Sequence, residues 1–285
     1  MKKYLIGVSG GPDSMCLLDM YRKEVKMVCH VNYNKRKTAK RDEEIVKEYC
    51  KKYNIKLSVL SVSRKMYAKY MKVENNFQSI ARKIRYDFFV ECAKKQEVNT
   101  VLIAHNYDDF IETAYMSMKK ESKNLLYGIK KRSKYKTIYI SRPLLFKRKS
   151  SLLKYCIDNK INFGIDETNL EDGYERNRVR KELAKMSKEE FKVLVEKIKT
   201  YNLNNLKLQN EVNVEYAKWK KQKYLDSYFA QTNEKLRYYL IYNWLSENDV
   251  TNISSSKIEG VEEFIIKAKK GKSYRLNNEL SIVKK

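Results

Sequence analysis

Proline and glycine are scarce in this chain, with two prolines and eight glycines among 285 residues. That composition excludes a collagen-like repeat, a Pro-rich spacer and a glycine-rich low-complexity segment. Cysteine occurs five times, at 16, 29, 50, 92 and 156, and never as a C-x-x-C pair. Such spacing argues against a disulfide framework, a zinc ribbon and a cysteine-held cluster. Free thiols buried in a cytoplasmic protein are the expectation. No apolar run approaches the roughly 20 residues needed to cross a bilayer, and the N-terminus enters a strand without a signal-peptide h-region, so no membrane partner is expected. Acids are also short: 35 Asp plus Glu stand against 61 Lys plus Arg, a net charge of +26. Abundant Lys, Asn, Ile and Tyr suggest an AT-rich coding bias, but such a bias does not explain why acids lag so far behind. The excess fits a polyanion, and its size favours nucleic acid over a small acidic metabolite. The 23 tyrosines supply many stacking platforms for unpaired bases, although packing is the ordinary role of any one of them.

What is present begins at the first loop, Ser9-Gly10-Gly11-Pro12-Asp13-Ser14. It follows the apolar run Tyr4 to Val8, a buried parallel strand by pattern, and leads into Met15 to Met20, the first turns of a packed helix. Paired glycines permit positive φ and bare backbone, and Pro12 is pre-set for a helix's first position. Exposed N–H groups at that helix start make an anion site. The lysine of a Walker loop and the wide glycine spacing of a dinucleotide fingerprint are both missing.

Downstream, strands are expected at Val25 to Val31, Leu57 to Leu60 and Thr100 to Ala104. Helices are expected over about Thr38 to Lys52, Asn76 to Lys94 and Asp108 to Met118. The alternation implies βαβ crossovers, a parallel sheet, and a ligand site outside the carboxyl ends of the strands. Lys119 to Lys149 reads as basic and irregular with one possible strand at Thr137 to Ile140, followed by a helix from about Ser150 to Lys160. Domains are expected at 1–204, catalytic, and 205–285, a small and mostly helical appendage closing in a hairpin near Gly271 to Leu276.

The second chemistry-bearing stretch is Ala104-His105-Asn106-Tyr107-Asp108-Asp109-Phe110-Ile111-Glu112-Thr113. Three acids in the first turns suit a helix dipole, and at i, i+3 and i+4 spacing they share a face. Carboxylates at a strand's end near a phosphate loop also suit Mg²⁺ or an ammonium group.

The first loop resembles the Ser-Gly-Gly-x-Asp-Ser signature of the PP-loop ATP pyrophosphatases, which cleave ATP between the α and β phosphates. Further blocks narrow the resemblance: His30-Val31-Asn32, Asn76-Phe77-Gln78-x-x-Ala81-Arg82-x-x-Arg85-Tyr86, and the Ala104 to Thr113 stretch. Arg142-Pro143-Leu144-Leu145, Asp166-x-Thr168-Asn169 and Arg176-Asn177-Arg178-Val179-Arg180 follow in order. The set is similar to the tRNA(Ile)-lysidine synthetase family over about residues 4 to 180. That resemblance implies an α/β fold, a parallel-sheet PP-loop domain of Rossmann-like, adenine nucleotide alpha hydrolase type, with a mostly helical C-terminal extension. It implies an ATP- and Mg²⁺-dependent ligase that adenylates C2 of the wobble cytidine of CAU-anticodon tRNA(Ile), after which free L-lysine displaces AMP. The implied ATP-binding residues are Ser9, Gly10, Gly11, Pro12, Asp13, Ser14 and His30, with Asp13 and Asp108 at the metal. Asp109 and Glu112 would hold lysine, and Asp13, Asp108, Asp109, Glu112 and Arg82 would carry catalysis. Arg176, Arg178 and Arg180, with Lys130, Lys131 and Arg132, would grip tRNA; Lys147-Arg148-Lys149 has a weaker claim. The appendage would add to tRNA binding.

Four positions depart from the family pattern: Tyr33, Gln78, Asn106 and Phe110. The glycine-rich insert before Arg142 is reduced to Gly128-Ile129. His30 and His105 end strands, but two nitrogens do not make a metal site. The alternative readings are a PP-loop tRNA thiolase, a small-molecule synthetase on the same loop, and a non-catalytic tRNA-binding homologue.

Overall fold

The computed structural model describes residues 3–35, 38–71, 77–121, 123–165, 175–248, 250, 253–276 and 280–284. The described chain falls into two compact units, the first of residues 3–70 and 77–202 and the second of residues 203–284 with Met71. The first unit is built on a six-stranded sheet. Its strands are β1 (Tyr4–Gly7), β2 (Val25–Asn32), β3 (Leu57–Ser61), β4 (Thr100–Leu102), β5 (Arg132–Tyr135) and β6 (Ile138–Ser141). The order is β3-β2-β1-β4-β6-β5, parallel except for the β5–β6 pair.

Both faces of the sheet are covered, so the central strands are apolar on both sides rather than alternating. On one face α1 (Pro12–Tyr21), α2 (Ala39–Lys52) and α6 (Lys149–Asp158) enclose Ile6, Val8, Leu17, Val28 and Leu102. On the other, α4 (Phe77–Gln96) packs Phe88, Phe89 and Cys92 on Leu5, Met27, Val101 and Ile140. Asp19 of α1 ties the first layer together. Tyr49 of α2 donates to its Oδ1 at 2.5 Å, Tyr155 of α6 donates to its Oδ2 at 2.8 Å, and Arg22 reaches Oδ1 at 3.1 Å. α3 (Arg64–Met71) follows β3, a helix the sequence pattern does not signal.

α5 (Tyr107–Lys119), α7 (Glu175–Lys185) and α8 (Lys188–Asn204) form a satellite cluster around Ile111, Ala114, Leu194 and Ile198. There the Tyr127 and Tyr201 rings stack at 3.8 Å between centroids, 1° from parallel.

The stretch read as irregular with one strand at Thr137 to Ile140 holds that strand as β6 and, before it, a second one that makes a hairpin. β5 pairs antiparallel with β6, Arg132 opposite Ser141 and Tyr135 opposite Ile138, around a turn in which Lys136 takes φ 48°. Edge strands commonly carry Lys and Arg on their open side, which blunts edge-to-edge pairing. Arg132 and Lys134 do this here, and their charge hides the alternation from a hydrophobic reading.

The second unit packs α9 (Leu206–Lys221), α10 (Asp226–Gln231), α11 (Glu234–Glu247) and α12 (Ser255–Lys267) around Trp219, Phe229, Leu240, Ile241 and Ile258. A short hairpin, β7 (Ser273–Arg275) with β8 (Ser281–Val283), closes it. Among the described residues no helix is long and apolar enough to cross a membrane, and all five cysteines are buried as free thiols.

Asp19→Ala leaves two tyrosine hydroxyls without their charged acceptor. We expect it to destabilise the first unit by about 2–4 kcal/mol. Tyr155→Phe should cost about 1 kcal/mol. Urea denaturation midpoints measure both.

Candidate active site

β1 and β4 are neighbours in the sheet, yet the chain leaves them toward opposite edges, β1 to β2 and β4 to β6. A crevice opens at the carboxyl ends of two strands that part in this way. A cavity of about 480 Å³ lies there, lined by the loop after β1, the end of β4, α4 and the start of α6.

The loop is held by its own side chains. Ser14 Oγ donates to the Gly11 carbonyl at 2.9 Å and accepts from the Ser9 amide at 3.1 Å, while the Ser9 and Ser14 hydroxyls meet at 3.1 Å. Ser14 thus shapes the loop, and Ser9 Oγ also takes the Gly11 amide at 3.4 Å. Gly10 sits at φ 92°, and a Cβ there would lie 2.8 Å from the Asp42 carbonyl oxygen of α2, so the position admits glycine alone. Gly11 differs. Its φ of −76° suits any residue, and a Cβ would meet nothing nearer than 3.7 Å. The fold leaves that space beside the N-terminus of α1 open, where unbonded helix N–H groups favour an anion. Pro12 occupies the first helical turn.

Asp13 faces the same crevice. Asn106 Nδ2 donates to its Oδ2 at 3.1 Å, while its buried Oδ1 has no hydrogen-bond partner. Burial pushes its pKa up to about 6; Lys149 and the Asn106 hydrogen bond pull it down, and the charges of Asp109 and Asp108 add to the rise. An orphaned, destabilised carboxylate beside an anion cradle fits a hard divalent cation shared with phosphate, since Mg²⁺ commonly takes one or two carboxylates plus substrate oxygens. Asp108 accepts from the Lys149 amide at 2.8 Å and lies 3.7 Å from Arg148. Among the described residues no three His, Cys, Asp or Glu side chains cluster as metal ligands.

Asn106 is also the N-cap of α5. Its side chain accepts from the Asp109 amide at 3.0 Å, and Asp109 Oδ2 accepts from the Asn106 amide at 3.0 Å, a closed capping box. One turn on, Glu112 is 5% exposed. Arg180 Nε donates to its Oε1 at 2.6 Å, Arg176 Nε lies 3.3 Å from Oε2, and Arg180 reaches Asp109 at 3.8 Å. Arg176 also donates to Thr113 Oγ1 at 2.9 Å. Burial raises the Glu112 pKa, against the pull of both arginines. Glu112 Oε2 is buried without a hydrogen bond.

The structure therefore brings Ser9 to Ser14, Asp13, Asp109, Glu112, Arg176 and Arg180 into one connected set and leaves other candidates outside it. Arg82 is exposed and lies over the Tyr86 ring at 4.4 Å. Arg85, one turn later, lines the cavity, with a buried Nε that has no hydrogen-bond partner. His30 is buried on the α2 side of β2, where its Nδ1 donates to the Val8 carbonyl at 2.9 Å. Arg178, Lys130, Lys131 and Arg132 are exposed, Arg132 lying over Tyr139 at 4.2 Å. Asp166, Thr168, Asn169 and Asn76 lie outside the described residues. Of the departing positions, Tyr33 lines the cavity and donates to the Ala81 carbonyl at 2.7 Å, and Gln78 is exposed. Phe110 covers Gly128, which sits at φ 113° and where a Cβ would fall 2.3 Å from the ring.

Sequence reasoning pointed to His105 at the end of its strand, which lines the cavity, but did not single out Arg85 and Lys149 as cavity residues. Each begins or ends an element next to the crevice, or lies one turn from a candidate, and that placement was the available signal.

The pH dependence of stability follows from Asp13. Its folded carboxyl keeps the proton to about pH 6, against an ordinary value of 3.8, so stability falls as pH rises from about 4 to about 6. The full penalty, about 3 kcal/mol, stands above that window. Asp13→Asn should stabilise the ligand-free protein by about 2–3 kcal/mol at pH 7.5 and by almost nothing at pH 4, as read by urea denaturation at both pH values.

Comparison with known proteins bears on this geometry. A family model described as "PP-loop domain" matches residues 1–187. The tRNA(Ile)-lysidine synthase of Ureaplasma parvum is 44% identical over 98% of this chain and 84% of its own. That of Malacoplasma penetrans is 44% identical over 96% of this chain and 93% of its own. Among solved structures, the U34-tRNA thiolase NcsA of Methanococcus maripaludis, with its 4Fe-4S cluster, superposes with a TM-score of 0.56 at 17% identity over 71% of each chain, a likeness of fold. The chain belongs to the PP-loop family and, within it, to the tRNA(Ile)-lysidine synthases.

Proposed function

We propose that this enzyme joins free L-lysine to C2 of the wobble cytidine of a CAU-anticodon tRNA(Ile) in the cytoplasm, consuming ATP and releasing AMP and pyrophosphate. One observation supports placing both half-reactions in one crevice: Asn106 bonds Asp13 through Nδ2 and Asp109 through its amide and Oδ1. The anion cradle and the acid pair are thus one residue apart.

In the first half-reaction the loop from Ser9 to Ser14 holds the β and γ phosphates at the start of α1, and the cytidine oxygen attacks the α phosphorus. Pyrophosphate leaves and AMP is carried on the tRNA. Mg²⁺, held by Asp13 with phosphate oxygens and with Asp108 near, would neutralise phosphate charge. Lys149 and Arg85 supply fixed positive charge on the cavity wall, and such preorganised charge counts for most where water is excluded.

In the second half-reaction the lysine amine displaces AMP. Asp109 and Glu112 receive the ammonium, and Glu112, with its pKa raised by burial, takes the proton that must leave before the nitrogen attacks. Oε2 of Glu112, ion-paired with Arg176 at 3.3 Å but without a hydrogen bond, is the acceptor, since Oε1 already holds Arg180. Exposed Arg178, Lys130, Lys131 and Arg132 contact tRNA phosphates, and the second unit adds tRNA contacts of its own. The five cysteines sit buried on α1, β2, α2 and α4 and on α6, an arrangement that gives the thiolase reading no exposed thiol.

Purified protein given Mg²⁺, ATP, labelled lysine and CAU-anticodon tRNA should release AMP and label the tRNA, with binding that weakens steeply as salt rises. Label entering only when a sulfur donor replaces lysine would favour the thiolase. Asp109→Asn keeps the capping oxygen, so the fold should hold. With Glu112→Gln it should retain tRNA-dependent pyrophosphate release while lysine incorporation falls by about 100-fold or more. Single-turnover assays of each half-reaction measure the split.

A further inference from the structure

The chain has two histidines, and the structure holds them in opposite tautomers. His30 Nδ1 lies 2.9 Å from the Val8 carbonyl. A carbonyl only accepts, so Nδ1 carries the hydrogen and Nε2 presents a lone pair. His105 is the reverse. Arg142 Nε lies 3.1 Å from His105 Nδ1, and a guanidinium has only donors and does not deprotonate in proteins. Nδ1 must accept, which places the ring hydrogen on Nε2.

Arg142 is built for that one contact. It is 3% exposed, and its Nη1 donates to the Lys130 carbonyl at 2.9 Å and to Ser133 Oγ at 3.0 Å. The hairpin strand β5 and the segment before it therefore clamp the guanidinium, and the guanidinium fixes the imidazole. His105 follows β4 and lines the same cavity as Ser9, Gly11, Pro12, Asp13 and Ser14. Burial and the charge of Arg142, with Arg85, Arg82 and Arg176 adding to it, oppose formation of an imidazolium.

We propose that His105 is a fixed, neutral Nε2–H donor to a phosphate oxygen of the nucleotide bound in this cavity, and that Arg142 is the positioning residue that sets its tautomer. The inference rests on reading the cavity as the ATP site of the adenylation half-reaction. A neutral N–H aimed at the phosphoryl group strengthens its hydrogen bond as charge grows on the oxygen, and it needs no reorganisation to do so. His30, on the opposite face of β2 from the cavity residues Cys29 and Val31, takes no part.

The test uses the full chain labelled with ¹⁵N-histidine at pH 7. Two-bond ¹H–¹⁵N spectra should show one Nδ1–H ring and one Nε2–H ring, and His105→Gln should remove the second. An Nδ1–H or doubly protonated His105 overturns the proposal. Adding α,β-methylene-ATP, which resists cleavage at the α–β bond, should move the His105 Nε2–H signal and leave His30 in place. If calorimetry shows the nucleotide bound while His105 stays still, the proposal fails and the ATP site stands. If the nucleotide does not bind at all, the ATP site fails and takes the proposal with it. His105→Gln keeps an N–H donor and should hold nucleotide affinity within about 3-fold, whereas His105→Leu should lose about 10-fold, or about 1.4 kcal/mol. Equal losses in the two variants would mean packing alone. Arg142→Met should release His105 into a tautomer mixture; should that buried change unfold the chain, the wild-type spectrum still decides the tautomer.

Discussion

One asparagine connects the two halves of the site. Asn106 closes the capping box that starts α5 and, with the amide nitrogen left over, holds Asp13 at the start of α1. Both helices begin at the carboxyl ends of adjacent strands, so the spacing between phosphate cradle and acid pair is set by the β1–β4 pairing of Leu5 with Val101 and Ile6 with Leu102. A helix cap is ordinarily a local device of about 1 kcal/mol. Here it also fixes the distance between Asp13 and Asp109. An asparagine can do this because its side-chain oxygen accepts from the Asp109 amide while its nitrogen donates to Asp13.

Charge inside the site is arranged against stability. Asp13 keeps an orphaned oxygen, Arg85 keeps an Nε without a hydrogen bond, and Glu112 Oε2 has an ion pair to Arg176 but no hydrogen bond, all in buried surroundings. Buried polar groups in folded proteins are nearly always bonded, so unbonded atoms such as these are the features by which a candidate binding site is recognised. Arg176 and Arg180 carry a different load. They pair with Glu112, and a carboxylate so deeply buried would otherwise be driven further toward its protonated form.

The phosphate loop, the helix of acids and the strand–helix alternation were legible because each is written locally: a glycine pair, a carboxylate spacing, an apolar run. What was hidden depended on distant partners. The run Arg176, Arg178, Arg180 reads as three equal cations in sequence. On a helix the first and third share a face, and that face meets Glu112, leaving only Arg178 in solvent. β5 was hidden because its exposed side is basic. Arg82 was favoured over Arg85, although the choice turns on which side of α4 meets the sheet's end, and a helix with apolar residues on several faces does not declare it.

The positive charge tells where a polyanion is drawn. Of the net +26, residues 203–285 carry only +5, from 15 basic and 10 acidic side chains, so the excess belongs to the sequence before Leu203. Within that part, Arg142, Arg176 and Arg180 are engaged with His105, Glu112 and Thr113 and serve the site's interior. The cations left facing solvent include Lys130, Lys131, Arg132 and Lys134 around the edge hairpin and Arg178 on α7. Arg142 bonds the Lys130 carbonyl from beneath while its Nε holds His105. The basic strip and the cavity wall are therefore two sides of the same few residues. Arg142 thus joins the segment that carries Lys130 and Ser133 to His105 on the cavity wall through hydrogen bonds of 2.9, 3.0 and 3.1 Å.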